Sequence, residues 1–186
     1  MKRNIALLAI LTALAAILAL GTGAYFTASG QATNVVTTGT VSLSLDERRA
    51  DGQVFPDLTA DVLPGQSVSK IPYVVNTGSQ PFYTRMLIQV FGEKGGESFP
   101  ISEELVTLDL DTEHWAQGTD GWWYYLGEIA PGGREAPFTQ VTFSPRMGNE
   151  YMDARIVVSV TAQAVQSKNN PVPQGDYTRV AGWPAD

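Results

Sequence analysis

The stretch Ala154-Arg155-Ile156-Val157-Val158-Ser159-Val160-Thr161-Ala162-Gln163-Ala164-Val165-Gln166 decides the fold class. Ile156, Val158, Val160, Ala162 and Ala164 occupy alternate positions and form one apolar file, and the density of β-branched residues opposes a helix despite the alanines at the end. A long strand is expected, ended by Asn169-Asn170-Pro171. The same period of two recurs upstream. In Val41-Ser42-Leu43-Ser44-Leu45 the alternation is strict, placing Val41, Leu43 and Leu45 on a buried face and the serines outside. Leu63-Pro64-Gly65-Gln66 reads as a turn into a strand from Val68 to Asn76, with Ile71, Tyr73 and Val75 sharing a face. Pro72 lacks a ladder donor, so that strand is expected at a sheet edge or beginning at the proline.

Asn76-Thr77-Gly78-Ser79 is expected to close a hairpin into a strand from Phe82 to Phe91, in which Met86, Ile88 and Val90 alternate with Arg85, Leu87 and Gln89. Leu108 and Leu110 oppose Thr107, Asp109 and Asp111 in a further strand. Trp122 to Leu126 reads as a short aromatic strand, turned by Pro131-Gly132-Gly133 toward Phe138 to Ser144, where Val141 and Phe143 point inward. Gly92 to Glu104 reads as a loop or a short helix at Ser102-Glu103-Glu104. Seven or eight strands without cysteine favour an all-β chain, a jelly-roll-like antiparallel β-sandwich.

The chain opens differently. Lys2-Arg3 precedes the apolar run from Ile5 to Leu20, and small Thr22 and Ala24 stand before bulky Tyr25 and Phe26. This is a signal-peptide helix with a cleavage site between Ala24 and Tyr25. The run is shorter than the roughly 20 apolar residues of a spanning helix, so no lasting membrane insertion is expected. Losing residues 1–24 removes two cations and takes the formal charge from −7 to −9. An acidic chain repels phosphate backbones, which argues against a nucleic-acid partner. The remaining 162 residues (186 less 24) are enough for one domain with a substantial core. With no cysteine, disulfides, thiolate metal sites and cysteine catalysis are excluded.

Chemistry is sparse in the pattern. His114 is the single histidine, no Gly-x-Ser-x-Gly elbow accompanies it, and a zincin motif needs a second histidine. No catalytic residue, metal ligand or cofactor is assigned. Asp109, Asp111 and Glu113 alternate as calcium-loop ligands would, but His114 stands where the glycine of the sharp turn belongs. A solvated strand face accounts for the carboxylates, with a weak calcium site as the alternative. The aromatic cluster with Trp115, Trp122 and Trp123 is read as core and cross-strand packing; the alternative is an exposed surface for stacking glycans.

Gly23-Ala24-Tyr25-Phe26-Thr27 followed by Thr38-Gly39-Thr40-Val41-Ser42-Leu43 resembles the signal-peptide and mature-start pattern of the TasA/camelysin family of Gram-positive bacteria. The likeness extends through Leu63-Pro64-Gly65-Gln66-Ser67-Val68, Val75-Asn76-Thr77-Gly78-Ser79, Tyr124-Tyr125-Leu126-Gly127 with Pro131-Gly132, and Val160 to Gln166, covering roughly residues 1–168. Ala28-Ser29 departs from it, since members often carry an acidic residue there. The resemblance implies cleavage by an endoplasmic-reticulum-type signal peptidase and a secreted protein of the cell surface or biofilm matrix. It also implies self-association into fibres, with other matrix proteins or glycans as further partners.

In such fibres the N-terminal segment of one subunit adds as a strand to the next. Residues 25–37, carrying Tyr25, Phe26, Val35 and Val36, are the candidate donor. The expected organisation is thus a signal peptide over 1–24, the donor segment over 25–37, a sandwich over 38–168 and a tail over 169–186. Camelysins are described as metalloendopeptidases, so a surface peptidase is the enzymatic alternative and a glycan-binding adhesin the third.

Overall fold

Eleven strands and a few short 3₁₀ turns make up the regular structure of the computed structural model, which describes residues 41–55, 64–148, 151 and 154–184. All of these lie in the unit Ala32–Asp186. The signal peptide, the cleavage site at Ala24 and Tyr25, and the donor segment with Phe26, Val35 and Val36 lie outside the described residues. The strands are β1 (Leu43–Arg48), β2 (Ser67–Ser69), β3 (Ile71–Asn76), β4 (Phe82–Lys94), β5 (Glu97–Pro100), β6 (Val106–Leu108), β7 (Trp115–Gln117), β8 (Trp123–Tyr125), β9 (Arg134–Glu135), β10 (Gln140–Phe143) and β11 (Arg155–Gln166). The chain is all-β, and every strand pair is antiparallel.

Three sheets result, ordered β1-β3-β9, β2-β10-β6 and β11-β4-β8-β7, with β5 added to the far end of β4. The first two are continuous in sequence at two points. β2 and β3 are separated only by Lys70, whose N–H donates to Thr139 O between β9 and β10. The chain therefore bends from one small sheet to the other and curls the whole layer. Three pairs nest inside one another: β4 with β11, β6 with β10, and β7 with β8.

Alternation works where a face truly meets the core. Val160, Ala162 and Ala164 of β11 are buried, and Ile156 and Val158 pack against them, so the quoted file is the floor of the core. Leu43, Val74, Phe82, Met86, Val106, Trp115, Val141 and Phe143 join it from six other strands. One apolar cluster thus holds all three sheets together. At about 1.5–3 kcal/mol for each large apolar side chain, its burial is the main term opposing chain entropy in a protein without disulfides.

Several expectations are corrected. The strand expected from Val68 to Asn76 breaks at Lys70, and β3 is an inner strand between β1 and β9. Its core face carries Pro72, Val74 and Asn76, while Tyr73 and Val75 are only half-buried. Tyr73 instead lies beneath the Arg134 guanidinium, 4.4 Å from the ring centroid. Pro72 is tolerated inside the sheet for a geometric reason. Asn76 N–H donates to Gly133 O on the β9 side; Pro72, four residues earlier, directs its missing donor the same way, beyond the two residues that β9 pairs with.

Asn76-Thr77-Gly78-Ser79 closes no hairpin, because β3 and β4 belong to different sheets. Asn76 is 1% exposed and organises the crossover: its Nδ2 donates to Gln80 O and Ile129 O, and its Oδ1 accepts from Gly78 N–H. Gly92 to Glu104 is neither loop nor helix but mostly a hairpin of β4 and β5, turned by Gly95 and Gly96 at φ 63° and 87°. At Ser102 a single turn follows, closed by Leu105 N–H to Ser102 O.

Candidate functional site

Two places merit attention: the open side of β11 and the outer face of the five-stranded sheet. β11 runs for twelve residues and pairs along its whole length with β4. Among the described residues no strand pairs with its other side. Phe82 exchanges backbone hydrogen bonds with Ile129, on the side of β4 away from β11, so Gln166, opposite Phe82, directs its N–H and C=O away from β4. With the period of two, Ala164, Ala162, Val160, Val158 and Ile156 do the same. The result is an edge about 40 Å long, at 3.3–3.4 Å per residue.

The outer face of the same sheet is built around Arg85. Alternation along β4 sets Arg85 on the face opposite the buried Met86, yet it is only 7% exposed. Its Nε and Nη2 donate to Gln163 Oε1 at 2.9 and 2.7 Å across the β4–β11 pair. Its Nη1 donates to Tyr124 Oη at 3.1 Å and to Asp120 Oδ2 at 3.3 Å. The guanidinium lies over two indoles, 4.2 Å from the Trp122 ring centroid and 5.1 Å from that of Trp183. Tyr124 Oη donates to Asp120 Oδ2 at 2.7 Å, and burial pushes its pKa up, with Asp120 adding to the rise and Arg85 opposing it.

Residues 171–184 cover this face. They form two 3₁₀ turns, Pro173–Gly175 and Tyr177–Arg179, and Val172, Tyr177, Val180 and Trp183 pack on Tyr83 and Val165. Trp183 meets Tyr124 edge to face at 5.7 Å. The tail expected to be irregular is therefore a third layer.

The tryptophans separate by strand parity. Trp115 is 1% exposed, and the half-buried Trp123 joins it on the core side, while Trp122, 4% exposed, lies on the Arg85 side. Trp115, Trp122 and Trp123 thus form no common surface, which corrects the glycan-stacking alternative; packing consumes them.

The carboxylates near His114 hold loops together. Asp109 accepts from the Thr139 hydroxyl and from Thr139 and Gln140 N–H, joining the end of β6 to the start of β10. Asp111 Oδ1 accepts from Glu113 and His114 N–H, and its Oδ2 lies 2.8 Å from His114 Nδ1. That contact raises the pKa of the imidazole and lowers that of the carboxyl. Among the described residues no three such side chains converge as metal ligands would.

Comparison of the chain with protein-family models, curated proteins and solved structures gives no match.

Proposed function

We propose that this is a secreted structural protein of the cell surface or biofilm matrix, a jelly-roll-like sandwich that builds fibres. After cleavage at Ala24, residues 25–37 of one subunit add as a strand to the next. The observation that carries this reading is the long edge of β11. An edge strand of that length offers a row of backbone groups to an extended segment, and addition at a sheet edge draws its affinity from main-chain hydrogen bonds. Thirteen donor residues span about 43 Å at 3.3 Å each, close to the length of β11. Head-to-tail addition of this kind grows open filaments rather than closed rings. Support for the jelly-roll comes from the nested pairs β4–β11, β6–β10 and β7–β8, which alternate between the layers. The sequence pattern around Ala24 and Tyr25 supports export.

The test compares a chain beginning at Tyr25 with one beginning at Thr38, by electron microscopy and sedimentation. Fibres are expected only from the longer chain. A third sample, Val158→Pro in the longer chain, removes one outward N–H from β11 while leaving the β4 ladder intact. It is expected to keep its far-ultraviolet circular dichroism and to lose fibre growth. Equal fibres from the chain beginning at Thr38 would refute the donor segment.

A further inference from the structure

The outer face of a sheet in a layered antiparallel protein ordinarily meets water. Here Tyr83, Arg85, Tyr124 and Val165 are each less than a tenth exposed, because the C-terminal segment crosses over them. The way that segment is held is unusual. Among the described residues its backbone bonds only within its own turns: Gly175 N–H to Val172 O, Asp176 to Pro173, Arg179 to Asp176 and Val180 to Tyr177. No strand shares a backbone bond with it. Side-chain contact alone attaches it, chiefly Val180, 4% exposed, and Trp183 over Arg85.

Two details show how narrow the closed fit is. Gly182 has φ 83°, and a Cβ there would meet Val165 Cγ2 at 3.3 Å, so a side chain at this position would strain the backbone and push Val165 back by a few tenths of an ångström. Trp183 Nε1 is buried without a hydrogen-bond partner, a desolvation that the closed position carries and an open one would relieve.

We propose that residues 171–184 are a detachable strap, which lifts as a unit while β4 and β11 stay paired and uncovers an aromatic face centred on Arg85. The occupant of the uncovered face is the strap of a second copy, since the structure displays the fit of that segment: an aliphatic side chain beside Tyr83 and Val165, and an indole over the guanidinium. Segments held without ladder bonds belong to the low end of local stability, and exchange of an identical element is a low-barrier route to association. The inference is independent of the fibre reading, which concerns the opposite terminus.

The absence of cysteine makes the test clean. In the full chain, Val180→Cys places a thiol under the strap and Val160→Cys places one in the main core; each is exposed to a thiol reagent without denaturant. The strap thiol is expected to react at least a hundredfold faster than the core thiol. Adding Gly182→Ala should raise the strap rate about tenfold more and leave the core rate within twofold. Equal rates for the two thiols, or a parallel rise in both, would show that the segment opens only with the whole domain and would overturn the strap. A labelled peptide of residues 171–184 is expected to bind the Gly182→Ala chain at least tenfold tighter than the unaltered chain, whose own strap competes. Equal binding to both, or to neither, would overturn the exchange.

Discussion

Replacing Arg85 tests whether a buried cation holds the third layer in place. Arg85→Met keeps the aliphatic stem and removes the guanidinium, while Arg85→Lys keeps the charge and removes the planar fork. Three terms set the magnitude. Stacking on Trp122 in a desolvated setting contributes about 2 kcal/mol, and charge-assisted bonding to Gln163 about 1.5–3 kcal/mol. The contact with Asp120 adds little, because that side chain is 44% exposed and solvent screens it. Against these stands the relief of desolvating the guanidinium, which offsets part of the sum.

A net loss of about 2–4 kcal/mol is expected for Arg85→Met, and with it a fall of about 5–15 °C in Tm for a domain of this size. Arg85→Lys should be nearly as damaging, since an ammonium can neither fork onto Gln163 nor stack flat on an indole. Urea unfolding followed by tryptophan fluorescence measures both, and Trp122 and Trp183 report the loss locally. If Arg85→Met is as stable as the original, desolvation outweighs the stack and the reasoning fails. If Arg85→Lys is neutral, charge rather than planarity is what matters.

Two further outcomes follow from the strands. A Cβ on Gly92 would fall 2.2 Å from the Phe99 ring directly across the β4–β5 pair, so Gly92→Ala should displace that ring and lower stability by about 1–3 kcal/mol, read by urea unfolding; an unchanged midpoint would show that the ring gives way freely. Burial raises the pKa of Asp109, but its bonds from Thr139 and Gln140 together outweigh it and hold the carboxyl below its ordinary value of 3.8. A depressed folded value contributes stability that is present above 3.8 and lost as pH falls through the folded value, so Asp109→Asn should flatten the decline in Tm below about pH 4; a decline as steep as in the original protein would remove Asp109 as its cause.

What the sequence discloses depends on whether a side chain's direction follows from its neighbours alone. β11 is legible because each inward residue meets a continuous core, and Val41 to Leu45 because its serines leave no ambiguity. β3 misleads: its inward positions hold a proline and an asparagine, and Asn76 is buried by bonds to Gln80 and Ile129 that pattern does not record. The hairpin at Asn76 fails for a related reason, since turn chemistry fixes a change of direction and not the sheet that receives the next strand. β9 is two residues long and leaves no periodicity to find.

Alternation puts Arg85 on the face away from Met86 but leaves its burial unread, because the cover of that face comes from Tyr177, Val180 and Trp183, some ninety residues on and spaced to neither period. The one available signal was compositional. Large apolar residues recur in a tail otherwise rich in proline, glycine and aspartate, and solvated tails rarely keep them.

The nesting of β4 with β11 also sets an order of events. Phe82 pairs with Gln166 and Glu93 with Arg155, so the partners of β4 lie 62 to 84 positions further along the chain. A chain delivered N-terminus first exposes β4 long before anything can pair with its β11 side, and such distant closure is slow. The edge that receives a neighbour in the proposed fibre is the far side of the last strand to arrive. It exists only once the sheet behind it is complete, which makes the site for growth a certificate that its own subunit has finished folding.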